Sequence, residues 1–238
     1  MAHSEHIVSS FDRDLEGIQA QIMRMGGLVE EAIAKATEAL ETRDVELARA
    51  VREGDKAIDA LDESVNDEAA RIIAQRQPIA RDLRTVLTVF RVSNNLERIG
   101  DYAKNIAKRT ETIIDQPPVT GAASSLRRMG RQVELMLKDA LDAYIQRNAG
   151  LAADVRARDV EVDQMYSTLF REYLTFMMED PRNITTCMHL HFMAKNIERM
   201  GDHVTSIAEQ VIYLVTGDFP DDDRPKQDRT PHDAGVSR

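Results

Sequence analysis

Apolar residues recur along the chain at alternating steps of three and four. In the first segment Phe11, Leu15, Ile18, Ile22, Met25, Val29, Ile33, Ala36 and Leu40 keep that spacing, which places them on one face of a single long amphipathic helix. A second helix is predicted from near Asp44, with Leu47, Val51, Ile58, Leu61, Val65, Ala69 and Ile72 on one face. It ends near the Gln77-Pro78 step, because a residue before proline avoids the helical region, and Pro78 then suits the first turn of a third helix. That third helix, about Pro78 to Ile114, carries two apolar lines. Leu83, Leu87 and Phe90 form one, and Val92, Leu96, Ile99, Ala103 and Ile106 form another on nearly the opposite side, so the helix is expected to touch different neighbours along its length. The prolines and glycine of Asp115-Gln116-Pro117-Pro118-Val119-Thr120-Gly121 read as a linker.

Beyond the linker the pattern begins again. Residues 92–109 align with 193–210 without a gap, and seven of the eighteen pairs are identical: Asn95/Asn196, Glu97/Glu198, Arg98/Arg199, Gly100/Gly201, Asp101/Asp202, Ile106/Ile207 and Ala107/Ala208. Chance would give about one, so the chain is an internal duplication. Upstream, an offset of 104 pairs Met25-Gly26 with Met129-Gly130, Val51-Arg52 with Val155-Arg156, Asp55 with Asp159 and Asp59 with Asp163. The change of offset falls between the second and third helix of each half, where a turn tolerates a difference in length. The fold expected is therefore all-α: two tandem, pseudo-symmetric three-helix bundles over residues 1–115 and 121–216, six helices in all, with equivalent core positions Met25/Met129, Val29/Val133 and Ile33/Leu137. Residues 217–238 are rich in Asp, Pro and Arg with almost nothing apolar to bury, and are expected to be a disordered acidic tail.

Composition narrows the classes of function. Charged residues make up 30% of the chain, aromatics 5%, and tryptophan is absent, a mixture that favours surface-rich helices over sheets. The net charge of −10 repels phosphate backbones and anionic headgroups, which argues against nucleic acid as a partner. No apolar run approaches the roughly 20 residues of a membrane span, and the start Met1-Ala2-His3-Ser4-Glu5 lacks the basic and apolar regions of a secretory signal. A soluble, cytoplasmic protein without direct membrane insertion is expected. The one cysteine, Cys187, cannot form an internal disulfide and leaves no Cys-His spacing for structural zinc.

Four Asp/Glu-x-x-x-Asp motifs stand out: Asp55/Asp59, Glu97/Asp101, Asp159/Asp163 and Glu198/Asp202. Positions four apart share a helix face, so each motif points two carboxylates the same way. Unrelieved, such a like-charged pair destabilises a helix by about 0.2–0.5 kcal/mol. A hard cation reverses that sign, since carboxylate oxygens suit Mg, Mn, Ca or oxidised iron. Any single motif is commonplace on a solvated helix, but here both kinds recur in both halves. In the second half Lys195 stands in the same line as Glu198 and Asp202 and weakens cation binding there, so the two sites need not be equivalent. His191 in that line reads as a further ligand or, more simply, as a partly buried, hydrogen-bonded histidine. Gly100 and Gly201 each cost about 1 kcal/mol relative to Ala in a helix, which points to close approach of a backbone or an ion, or to plain packing.

Catalytic patterns are missing. No histidine has a glutamate three residues before it, as a ferritin-like di-iron bundle requires. There is no phosphate-cradling Walker loop, no dinucleotide glycine fingerprint and no nucleophile with a neighbouring base. The chain is not expected to be an enzyme.

The stretches Asn95-Leu96-Glu97-Arg98-Ile99-Gly100-Asp101 and Asn196-Ile197-Glu198-Arg199-Met200-Gly201-Asp202 resemble the paired signature of the PhoU family of phosphate-uptake regulators, and Arg76-Gln77-Pro78-Ile79-Ala80-Arg81-Asp82-Leu83-Arg84 resembles that family's turn into its third helix. The resemblance spans about residues 5–216. It implies two similar three-helix bundles side by side, often dimeric, with acidic motifs able to hold multinuclear metal clusters on the surface. It also implies a negative regulator of the phosphate regulon that links the ATPase of a high-affinity phosphate ABC transporter to a sensor histidine kinase, placed in the cytoplasm and recruited by its partners to the inner face of the membrane. On this resemblance the metal role, for Mg, Mn or Fe, falls to Asp55, Asp59, Glu97, Asp101, Asp159, Asp163, Glu198 and Asp202. Arg98 and Arg199 match the signature as partner contacts, or as internal ion pairs with nearby carboxylates. Two other functions stay open at this point: the related accessory protein of a low-affinity phosphate permease, and a metal-dependent enzyme or metal store built on a bundle.

Overall fold

The computed structural model describes residues 2–220, with side chains from Arg13 onward. The side chain of Phe11 and residues 221–238, the greater part of the expected tail, therefore lie outside what is described. Six α-helices follow one another: α1 Ala2–Thr42, α2 Val45–Arg76, α3 Ala80–Ile113, α4 Ala122–Gln146, α5 Ala149–Glu179 and α6 Ile184–Thr216, with a 3-10 turn at Pro181–Asn183 before α6. Among the described residues there is no strand.

The duplication extends to the turns. Arg43 (φ 58°) and Arg147 (φ 51°) take the same left-handed conformation at the ends of α1 and α4. The next residue in each half caps the following helix: Asp44 accepts from the Leu47 amide at 2.9 Å and Asn148 from the Leu151 amide at 3.1 Å. The turn into the third helix departs from expectation. Gln77 rotates into the left-handed region (φ 47°) and α3 begins only at Ala80, so Pro78 sits in the connection and not in the first turn. In the second half Pro181 does open a helical turn, capped by Asp180, whose side chain accepts from the Arg182 amide at 3.0 Å.

Each half is a triad, α1–α2–α3 and α4–α5–α6, and the two triads meet through α1 against α4 and α3 against α6. Among the described residues, the outer helices α2 and α5 pack only within their own half. Met25/Met129, Val29/Val133 and Ile33/Leu137 are all fully buried in matching places. The buried side chains of the two triads run into one another as a continuous apolar core. On α3 the line Val92–Leu96–Ile99–Ala103–Ile106 is fully buried, and it is extended toward the N-terminus by Val86 and Val89, which the periodicity did not single out. The other line is an edge: Leu87 is 42% exposed and Leu83 and Phe90 are half-buried.

A pseudo-twofold axis passes between α3 and α6. Tyr102 and His203 hold the same position in the two repeats, and their rings touch, with centroids 5.7 Å apart. Away from the axis, contacts come in exchanged pairs: the backbone of Gly26 on α1 faces Leu141 on α4, and that of Gly130 on α4 faces Thr37 on α1. These are the same two positions, offset by 104, with the helices swapped. At the end of α6, Gly217 (φ 95°) closes the helix, and Phe219 turns back to stack on Tyr213 at 4.2 Å while the Arg91 guanidinium of α3 lies 5.5 Å from its ring centre. The first residues of the expected tail thus lie against the bundle, because Phe219 is the one large apolar side chain among them.

Candidate cation and partner site

In each half the acidic motifs line the seam between the outer helix and the signature helix. α2 supplies Asp55 and Asp59, and α3 supplies Glu97 and Asp101. Asp55 is buried (4% exposed), Glu97 and Asp101 are partly buried and Asp59 is exposed. The seam is narrow because of glycine: a β-carbon on residue 100 would stand 3.0 Å from Ile58 Cδ1 and 3.6 Å from Asp55 Oδ1. In the second half a β-carbon on residue 201 would stand 2.9 Å from Asp159 Oδ1 and 3.4 Å from Val162 Cγ1. The two signature glycines therefore let the outer helix approach and bring its first aspartate against the signature helix.

The negative charge in this seam acts on its own carboxylates. Though exposed, Asp59 is held above the usual carboxylate range by partial desolvation against the seam, then by Asp55; Lys104 opposes the shift, and Asp101 and Asp62 add to it. Glu97 is raised by burial, then by Asp101. In the second half Asp159, Asp163 and Glu198 are all buried and Asp202 is partly exposed. Burial raises Glu198 most, Lys195 opposes the shift, and Asp202 and Asp163 add to it. The second cluster is therefore more deeply buried than the first.

Cations inside the clusters complete the picture. Lys104 reaches from α3 across the seam, its Nζ 2.5 Å from Asp55 Oδ2 and 2.9 Å from Asp101 Oδ1. Lys195 donates to Glu198 Oε1 at 2.8 Å, with its ammonium 4.9 Å from the centre of the Tyr166 ring. Asp62, half-buried beside the first cluster, accepts from Ser93 Oγ at 2.6 Å and from Asn66 Nδ2 at 3.0 Å. Lys104, Asp62 and Ser93 belong to no repeated motif and do not stand out in the sequence. Their one signal was the spacing of Lys104 three residues after Asp101. His191 is not the hydrogen-bonded histidine expected: its Nδ1 is buried without a partner, and its ring sits among Tyr166, Phe170 and Phe192.

Arg98 is exposed, its Nε 3.5 Å from Glu97 Oε2 and its Nη1 4.0 Å from Asp101 Oδ2. Its counterpart Arg199 is also exposed. Hard-cation chemistry has suitable donors here, for every candidate ligand is a carboxylate oxygen, and Asp55 Oδ1 and Glu198 Oε2 are buried acceptors with no hydrogen-bond partner. Among the described residues, however, no three Asp, Glu, His or Cys side chains converge closely enough to hold an ion as they stand. Among the described residues, no helix is long and apolar enough to cross a membrane.

Two copies of a three-helix domain, each carrying an acidic seam closed by a signature glycine, define a duplicated helical module. The PhoU domain matches residues 22–110 and again residues 126–211. The phosphate-specific transport system accessory protein PhoU homologue of Rhizobium meliloti (strain 1021) is 44% identical over 230 residues, covering 97% of each chain. That of Caulobacter vibrioides (strain NA1000 / CB15N) is 44% identical over 225 residues, covering 94% of this chain and 98% of the relative. In three dimensions the chain resembles the crystal structure of PhoU from Pseudomonas aeruginosa, with a TM-score of 0.84 at 39% identity over 87% of this chain and 100% of that one. It also resembles the phosphate transport system regulatory protein PhoU from Streptococcus pneumoniae, with a TM-score of 0.81 at 30% identity over 89% of this chain and 99% of that one. The chain belongs to the PhoU family. These relatives are named as accessory and regulatory proteins, not as enzymes.

Proposed function

We propose that this protein is a cytoplasmic negative regulator of phosphate-starvation signalling and phosphate uptake, an adaptor between the ATPase of a high-affinity phosphate ABC transporter and a sensor histidine kinase, with no chemistry of its own. The observation that carries the reading is the match of both halves to one domain over nearly the whole chain, in relatives named as accessory to a phosphate-specific transport system. The geometry agrees with an adaptor. Long helices offer broad faces for an interface of roughly 1,600 Å² in total, and the exposed Arg98 and Arg199 stand at equivalent points of the two signatures. The protein works as a homodimer and is held at the inner face of the membrane by its partners. Deleting its gene should leave phosphate-regulated promoters active in high phosphate, and the purified protein should retain the ATPase or the kinase, a retention weakened in an Arg98→Glu, Arg199→Glu variant. Intact repression after deletion, together with turnover of a phosphorylated small molecule by the purified protein, would overturn the reading.

We also infer that the acidic seams bind divalent or trivalent hard cations such as Mg, Mn or Fe, through Asp55, Asp59, Glu97 and Asp101 in the first half and Asp159, Asp163, Glu198 and Asp202 in the second. The unpartnered buried oxygens of Asp55 and Glu198 support it. Binding to the native state alone would add about 2.7 kcal/mol at a hundredfold excess over Kd. Replacing Glu97 and Asp101 with Ala should remove the part of that gain due to the first seam.

A further inference from the structure

The two acidic seams solve one electrostatic problem with lysines from different places. Asp55 is the most buried carboxylate of the first seam and Glu198 of the second, at 4% and 6% exposure. A carboxylate taken that far out of water needs a compensating charge. In the first half the charge comes from Lys104, three residues after Asp101; in the second it comes from Lys195, three residues before Glu198. The two positions are not related by the repeat. The counterpart of Lys104 is Thr205, which is buried and bonded to the Asp202 carbonyl at 2.8 Å, and the counterpart of Lys195 is Asn94, which is exposed. Each half thus returns one ammonium to its most buried acid by its own route. In both cases only one oxygen of that acid is engaged, Asp55 Oδ2 or Glu198 Oε1, while the other, Asp55 Oδ1 or Glu198 Oε2, is buried without a partner.

We propose that Lys104 is a resident counter-cation of the first seam, and that a hard metal ion and the Lys104 ammonium are alternative occupants of it: the metal enters only by displacing Lys104 from Asp55 and Asp101. The proposal rests on the cation-binding reading above and adds a residue that sets the affinity. Two features favour the first seam for the exchange. Lys104 is 37% exposed, so it can swing out into water on its four-carbon stem, and the acids it leaves include the exposed Asp59 and the partly exposed Glu97 and Asp101. Lys195, by contrast, is also held over the Tyr166 ring, beside acids that are nearly all buried. The first seam is therefore the exchangeable one, and the second keeps its lysine.

The test uses the full chain and Mn²⁺ as the probe. Binding is followed by titration calorimetry and by the shift in Tm, for the wild type, Lys104→Gln and Lys104→Arg. Removing a unit charge a few ångströms from the ion should tighten Mn²⁺ binding by on the order of tenfold or more in Lys104→Gln, while Lys104→Arg, which keeps the charge, should stay near wild type. On the wild-type protein, without any substitution, the acylation rate of Lys104 read by mass spectrometry should rise severalfold when Mn²⁺ is added, and that of Lys195 should not. Equal Mn²⁺ affinity in all three proteins, or a Lys104 acylation rate indifferent to Mn²⁺ while the ion binds, overturns the exchange and leaves the cation reading standing. No Mn²⁺ binding by either the wild type or Lys104→Gln overturns both.

Discussion

Tyr102 and His203, one position in two repeats, touch each other on the pseudo-twofold axis, and the same His203 ring bonds through Nδ1 to Asn95 Oδ1 at 2.8 Å. Asn95 donates its Nδ2 to the Arg91 carbonyl at 2.7 Å and so offers its oxygen to the ring, which places a proton on His203 Nδ1. Burial holds His203 below the usual histidine range; Arg98 and Arg199 lower it further, and Asp202 opposes them. His189 and His191 are lowered as well, chiefly by burial.

A group whose folded pKa is depressed contributes stability that is present above its unfolded value, about 6.5 for histidine, and is lost as pH falls through the folded value. The stability these histidines contribute is therefore expected to be lost on acidification below about pH 6.5. Denaturant melts at pH 7.5 and 5.0 should show a smaller acid loss in His203→Tyr, which repeats the residue already used at position 102. An unchanged loss would remove His203 from the account.

Where α1 crosses α4, a β-carbon on Gly130 would stand 2.8 Å from Thr37 Cγ2. Ala suits a helix better than Gly by about 1 kcal/mol, but overpacking costs about 1–3 kcal/mol. Gly130→Ala should therefore destabilise the wild type by about 1 kcal/mol and stabilise a Thr37→Ala background by up to about 1 kcal/mol. A double-mutant cycle checks it, and equal effects in the two backgrounds would show that the crossing is not close.

Asp44 and Asn148 cap α2 and α5 through equivalent bonds. Replacing either with Ala should cost about 1 kcal/mol, within the range of about 0.5–2 seen for such caps. The two losses should match and add, since the sites lie in different halves. Chemical denaturation of the two single variants and the double variant measures both points.

Asp59 is exposed and four residues from Asp55, and it is the acid of the first seam with least cover. Without added metal, Asp59→Asn should raise stability by about 0.2–0.5 kcal/mol through relief of like-charge repulsion. A loss of stability would mean that Asp59 has a favourable partner in the metal-free protein.

Much of this architecture was legible in the sequence because it rests on periodicity. The spacing from Leu15 to Leu40 needs one long helix, and the pairs from Asn95/Asn196 to Ala107/Ala208 need a duplication. The signature glycines were legible as points of close approach, and each proves to admit an aspartate from the neighbouring helix. What escaped depends on contacts between helices, which leave no period. Lys104 looks like any surface lysine until α2 is placed beside it. The burial of Asp163 and Glu198, against the exposure of Asp59 and partial exposure of Glu97, follows from packing that identical motifs do not reveal. Phe219 was hidden in a polar tail because its partners, Tyr213 and Arg91, lie on two different helices. Pro78 was given the first turn of α3 on general preference, whereas the left-handed Gln77 moves the start of the helix to Ala80.

The confinement of α2 and α5 to their own triads has a further consequence. α1, α3, α4 and α6 form a four-helix slab, and each outer helix is a strut fastened to one side of it, with an acidic seam along the joint. A strut that touches nothing across the midline can loosen without a signal reaching the other strut through direct contact, so the two halves are separate local-unfolding units mounted on a common support. Native-state hydrogen exchange should resolve them as two steps, with α2 and α5 opening below the free energy at which the slab itself gives way. Duplication has then left one molecule with two independently adjustable edges.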